Sequence, residues 1–183
     1  MNTGRPVRAG DLSGATLGSG GALGDDVDGV VEAWRRERPD LAVEPMQVWS
    51  RIDRLAGILD ERRKRAFSAH GLEAWEFDVL AALRRSGSPH RLSPGQLLRE
   101  THVTSGTMTN RINRLVARGA VTRDADPHDR RGAQVALTAE GLALVDAALA
   151  SLTELEAELL ADWSADERDR LAGALRRLLL GSL

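Results

Sequence analysis

Between Leu92 and Gly141 the hydrophobic period of this chain changes twice, and few folds accommodate that change. Leu92-Ser93-Pro94-Gly95-Gln96-Leu97-Leu98 reads as a helix start: Ser93 is a good N-cap, Pro94 suits the first helical position, and Gln96 can complete a capping box. This short helix ends near His102, Val103-Thr104 is a break, and a second helix begins at Thr104 or Ser105. Its apolar stripe is Met108, Ile112, Leu115 and Val116, and Gly119 marks its stop. The period then falls to two. Ala120-Val121-Thr122-Arg123 and Ala133-Gln134-Val135-Ala136-Leu137 are strand candidates around the charged loop Asp126-Pro127-His128-Asp129-Arg130-Arg131-Gly132. Thr138, with Gly141 behind it, reopens a helix that runs to about Ala161.

The flanks are helical. A first helix covers roughly Asp26 to Arg38 and is ended by Pro39. A second starts at Pro45, carries Val48, Ile52, Leu55 and Ile58, and closes in the basic run Arg62-Arg63-Lys64-Arg65. A third, Ala74 to Arg85, is apolar nearly all round and should be a buried central element. Ser164-Ala165-Asp166-Glu167 is a second capping box and opens the last helix, Ala165 to Leu180. Residues 1–24 hold 7 of the 18 glycines and few large apolar side chains, the composition of a flexible tail. The expected plan is a tail over 1–24, N-terminal helices over 25–70, a helix-turn-helix with a hairpin over 71–138, and C-terminal helices over 139–183. The fold class is therefore mainly α with a small β-hairpin wing: a winged helix-turn-helix.

Composition removes several function classes. No cysteine is present, which excludes disulfides, thiolate zinc sites, thiol catalysis and cysteine-based redox sensing. No run of about 18 apolar residues exists to span a membrane, and Leu12 to Gly24 is too rich in Gly and Ser for a signal-peptide core. A cytoplasmic protein is the simplest expectation. His70, His90, His102 and His128 show no metal-ligand spacing; His70 could report pH at a dimer interface or be solvated or capping. Ser93, Ser105 and Ser164 read as helix starts rather than nucleophiles, so neither an enzyme nor a cofactor is expected.

The net charge is −2, so a nucleic-acid signal has to be local. It is: Arg91 to Arg131 holds eight arginines against four acids, while Glu140 to Leu183 holds nine acids against four arginines. A basic lobe on an acidic body is the footprint of a DNA-binding module. On the helix from Ser105 to Arg118, the face opposite the apolar stripe shows Ser105, Gly106, Thr107, Thr109, Asn110, Arg111, Arg114 and Arg118. Small hydroxyl residues and Asn near the start can approach base edges, and arginines further along can reach phosphates. Ser93 and Thr104, at the two helix starts, complete the expected DNA-facing set. Leu142, Leu144, Val145, Leu149, Leu152, Leu155 and Leu159 or Leu160, with Leu171, Leu175, Leu178, Leu179 and Leu180, form more apolar stripe than one small lobe needs. A homodimer is expected, and a two-fold dimer calls for a pseudo-palindromic operator in double-stranded DNA.

Leu92-Ser93-Pro94, Thr104 to Ile112, Asp126 to Gly132 and Leu137-Thr138-Ala139-Glu140-Gly141 together resemble the MarR family of dimeric bacterial transcription regulators, over roughly residues 28–180. The resemblance implies that Arg131 enters the minor groove while Asp129, beside Arg130, helps hold the wing. Trp75 to Gly87, with an added N-terminal helix bearing Trp34, looks like the urate-responsive, HucR- and PecS-like branch. That branch implies a ligand site at Trp34, Asp78, Arg111 and Arg123, where an anionic aromatic ligand sits against Trp34, is held by arginine and repels Asp78.

Read without the resemblance, Asp78 lies between Phe77 and Val79 on a segment with little polar face, where a buried carboxylate would need a cation. On chemistry alone Trp34 serves equally as a packing tryptophan, Asp78 as one end of a structural ion pair, and Arg123 as a phosphate contact or wing brace. The expected function is a repressor released from DNA by a small anionic aromatic ligand, with urate the leading candidate. A phenolic acid or a polycarboxylate such as aconitate or citrate is the alternative ligand. An architectural DNA-binding or protein-interaction module without effector is the alternative of another class.

Overall fold

A computed structural model describes residues 24–126 and 132–182. Among the described residues the elements run α1 (Asp26–Glu37), α2 (Met46–Ser68), α3 (Ala74–Arg85), β1 (Arg91–Leu92), α4 (Pro94–Thr101), α5 (Ser105–Ala117), β2 (Val121–Ala125), β3 (Ala133–Leu137), α6 (Ala139–Leu159) and α7 (Ala165–Gly181). Among the described residues no helix is long and apolar enough to cross a membrane. Two units divide the chain, one ending at Leu59 and the other beginning at Asp60.

In the first unit Asp25 caps α1 by accepting from Val27 N at 2.9 Å, and Arg51 of α2 bonds both Asp25 and Asp28 at 2.8 Å. Val27, Val31 and Val43 form its small core, with Met46 packed against them. In the second unit α3 is central, with Phe77 and Val79 through Leu83 buried among Leu97, Met108, Ile112, Leu115, Val135, Val145 and Leu152. The short helices α4 and α5 follow it. The capping box read at Ser93 is present, with Ser93 Oγ accepting from Gln96 N at 3.2 Å and Gln96 Oε1 accepting from Ser93 N at 2.8 Å. The box at Ser164 and Glu167 is present as well.

The sheet is antiparallel in the order β1-β3-β2. The hairpin was legible; β1, which pairs Arg91 with Ala136 and Leu92 with Val135, was not. Two residues are too few to show a period. Strand β2 reaches Ala125, two residues beyond the expected Arg123. Helix α2 likewise passes the basic run to Ser68, because Phe67 is 1% exposed and stacks on Phe77 with centroids 4.2 Å apart. Burying an aromatic pair outweighs a favourable helix stop at the arginines.

Gly141 shows why α6 starts where it does. A Cβ there would stand 1.9 Å from the Ala120 carbonyl oxygen, so only glycine lets α6 seat against the start of β2. Thr138 fixes the junction: its hydroxyl donates to the Gly119 carbonyl at 2.8 Å and accepts from Gly141 N at 2.9 Å.

One expectation about α6 changes. Val145 and Leu152, read as part of a dimer stripe, are buried in the protomer's own core, while Leu149 and Leu159 remain exposed. Helix α7 has no buried residue. His70, at the end of α2, is half-buried and its Nε2 lies 2.9 Å from the Ser151 hydroxyl of α6, an intramolecular partner in place of the solvated or capping role.

Candidate nucleic-acid interface and ligand groove

The DNA-reading helix expected from sequence is α5. Thr104 caps it, with its hydroxyl 2.9 Å from that of Thr107, and Met108, Ile112 and Leu115 anchor it in the core. This leaves Ser105, Gly106, Thr107, Thr109, Asn110, Arg114 and Arg118 exposed on the other side. Thr109 donates to the Ser105 carbonyl at 3.1 Å, so part of its hydrogen-bonding capacity is spent on the helix. Ser93 is half-buried at the cap of α4. Asp129, Arg130 and Arg131 lie outside the described residues.

The arginines of α5 are not free tethers. Arg114 Nη2 donates to Glu73 Oε1 at 2.6 Å. Arg118 donates to the Gly71 carbonyl at 2.8 Å and to Glu76 Oε2 at 3.1 Å. Glu76 is the buried carboxylate of this region, 5% exposed, and its Oε2 also accepts from Glu73 N at 2.9 Å. Asp78 is exposed, and among the described residues no hydrogen bond or ion pair engages it. The expected buried carboxylate with a cation exists, but it is Glu76, two residues earlier and so nearly opposite on the helix.

Trp75 joins these groups. Its Nε1 donates to Glu73 Oε2 at 2.7 Å. The guanidinium carbons of Arg114 and Arg111 lie 4.6 Å and 5.5 Å from its ring centroid, within cation–π range. The Trp75 N–H, and after it Arg114, holds the Glu73 carboxyl below the usual carboxylate range.

Two open grooves meet at this cluster. One, of about 580 Å³, runs along the exposed face of α5 between Gly106, Thr107, Asn110, Arg111 and Arg114 on one side and Glu73 and Trp75 on the other. The second, of about 610 Å³, is lined by Lys64, Ser68, Leu72, Glu73, Ala74, Trp75, Asp78 and Arg111. It brings together two of the four expected ligand residues, Asp78 and Arg111. Arg123 stands elsewhere, exposed on β2 opposite Val135. Trp34 belongs to the first unit, where it is 47% exposed.

Sequence reasoning missed Glu73, Trp75, Lys64 and Ser68. Trp75 falls in the helix expected to be buried and central, and Glu73 was not singled out. A usable signal was present: Arg118, the C-cap of α5, follows Arg114 by four, and Glu73, the N-cap of α3, precedes Glu76 by three, spacings that bring each pair to one side.

An exposed helix face with open grooves beside it sits within a fold that known proteins share. The sequence profile of the MarR family matches residues 70–132. The HTH-type transcriptional regulator PecS of Dickeya dadantii is 37% identical over 153 residues, covering 84% of this chain and 92% of that protein. A crystal structure of a mutant MarR from Escherichia coli complexed with operator DNA superposes with a TM-score of 0.64 at 28% identity, covering 74% of this chain and 96% of that one. BpsR of Bordetella bronchiseptica, solved in a study of how 6-hydroxynicotinic acid regulates its DNA binding, gives a TM-score of 0.62 at 27% identity, covering 73% and 94%. The fold, the reading helix and these likenesses agree: the chain belongs to the MarR family of DNA-binding transcriptional regulators.

Proposed function

We propose that this regulator is a cytoplasmic homodimeric repressor that leaves a pseudo-palindromic operator when a small anionic aromatic ligand, urate first among candidates, occupies the groove beside α5. The observation that carries the reading is the meeting of Asp78, Arg111 and Trp75 in one groove. Arg111 supplies a cation, Trp75 a flat apolar wall, and Asp78 a carboxylate that an arriving anion would repel. Arg111 and Trp75 also line the groove along the reading face, so movement on the ligand side reaches the DNA side through shared side chains. Release requires the ligand to bind the DNA-free arrangement more tightly than the DNA-bound one.

By family resemblance Trp34 and Arg123 complete the ligand set, and Asp129, Arg130 and Arg131 serve DNA binding. The exposed leucines of α7, with Leu149 and Leu159 of α6, provide the apolar surface for a two-fold dimer. A second reading keeps the regulator and changes the ligand. Lys64 stands in the same groove as Arg111, and two cations also suit a phenolic acid or a polycarboxylate. The similarity to BpsR, a protein regulated by an aromatic acid, supports that variant.

The test is fluorescence anisotropy of labelled duplex from the region upstream of the gene, titrated with protein and then with urate. Release by urate that is lost in Trp34→Ala, with DNA affinity nearly intact, is the expected result. Tight binding that ignores urate but yields to a phenolic acid or citrate selects the second reading. Binding without sequence preference and with no effector returns the chain to an architectural role.

A further inference from the structure

Arg114, on the exposed face of α5, is paired with a carboxylate that is itself held by a second donor. One Glu73 oxygen accepts from Arg114 at 2.6 Å while the other accepts from the Trp75 indole at 2.7 Å. The Arg114 guanidinium also packs 4.6 Å from the centre of that indole. Carboxylate, indole and guanidinium thus form a closed triangle at the edge of the groove lined by Thr107 and Asn110. The neighbouring pair differs: Glu76 is nearly buried, so Arg118 cannot exchange it for an outside anion without stranding a charge. Glu73 and Arg114 are 57% and 55% exposed, so their pair is weak and open to exchange.

A DNA phosphate approaching this face carries the same charge as Glu73 and seeks the same N–H edge. An arginine already neutralised by a carboxylate releases less counterion on meeting a phosphate than a free one does. We propose that Glu73 is a positioning residue that competes with the DNA backbone for Arg114, with Trp75 holding the carboxylate in place, and so sets the strength and salt dependence of DNA binding. This rests on the reading that puts Arg114 at the DNA. In the bound state Arg114 swings to phosphate and Glu73 keeps its bond from Trp75.

The test is Glu73→Gln in the full-length chain, which keeps an oxygen for Trp75 Nε1 and removes the charge. Glu73→Ser, a helix cap in its own right, repeats it without the long side chain. Affinity for the upstream duplex is measured across a salt series, with circular dichroism as the check on folding. Both variants should bind about two- to fivefold more tightly per half-site, and log K against log salt should steepen by about one for each protomer. In an Arg114→Ala background the gain should vanish. Unchanged or weaker binding with an unchanged slope overturns the proposal, as does an equal gain without Arg114. If Arg114→Ala itself binds like the parent, the placement of Arg114 at DNA fails and takes the proposal with it. If Arg114→Ala weakens binding while Glu73→Gln is inert, the competition alone is wrong.

Discussion

Helices α3 and α7 both carry long apolar stretches, yet seven of the twelve residues of α3 are buried and none of the seventeen of α7. The difference is one of partners rather than composition. Helix α3 is enclosed by α4, α5, α6 and the sheet, and nearly every apolar side chain it has finds cover inside the protomer. Helix α7 leaves Leu171, Leu175, Leu178, Leu179 and Leu180 exposed, and exposed apolar side chains that gather in one patch mark interaction surfaces. The same division runs through α6, where Val145 and Leu152 face the core and Leu149 and Leu159 do not. One helix makes the fold of a single chain; the other offers the apolar surface that the proposed dimer would bury.

Substitutions in the two helices and around them should differ sharply in their effects. Leu80→Ala, at a side chain fully buried in α3, should cost about 2–5 kcal/mol in denaturant unfolding. A loss below about 1 kcal/mol would deny α3 its central place. Gly141→Ala drives a Cβ into the Ala120 carbonyl and should cost about 1–3 kcal/mol or more by the same measurement. A neutral result would mean that α6 does not seat closely on β2. Leu175→Arg should weaken dimerisation about tenfold or more in sedimentation equilibrium, with protomer secondary structure preserved in circular dichroism. An unaltered dimer would move the interface off α7. Asp78→Asn, at an exposed carboxylate, should change stability by less than about 0.5 kcal/mol and yet blunt release of DNA by urate. Full release from the mutant would remove charge repulsion from the mechanism.

Local signals were legible in the sequence where one residue type decides a local geometry. The capping boxes at Ser93 and Ser164, the span Ala74–Arg85 and the strand Ala133–Leu137 all stand where the pattern put them. What failed depended on contacts distant in sequence. Helix α2 outruns its basic stop because Phe67 meets Phe77, and β1 exists only because β3 is there to pair with it. Asp78 read as buried because its sequence neighbours are apolar. Helical geometry instead turned Glu76 inward to Arg118 and left Asp78 on the groove wall. The helix carrying the site was therefore readable, but not which of its carboxylates is buried. That choice is made by α5, more than 25 residues downstream.

The most direct test of a regulator completed by its own second copy is sedimentation velocity of the full chain with labelled upstream duplex. The account predicts two protomers on each duplex, bound through half-sites about one DNA turn apart, and loss of the complex when urate is added. A single protomer bound stably to a single half-site would contradict it.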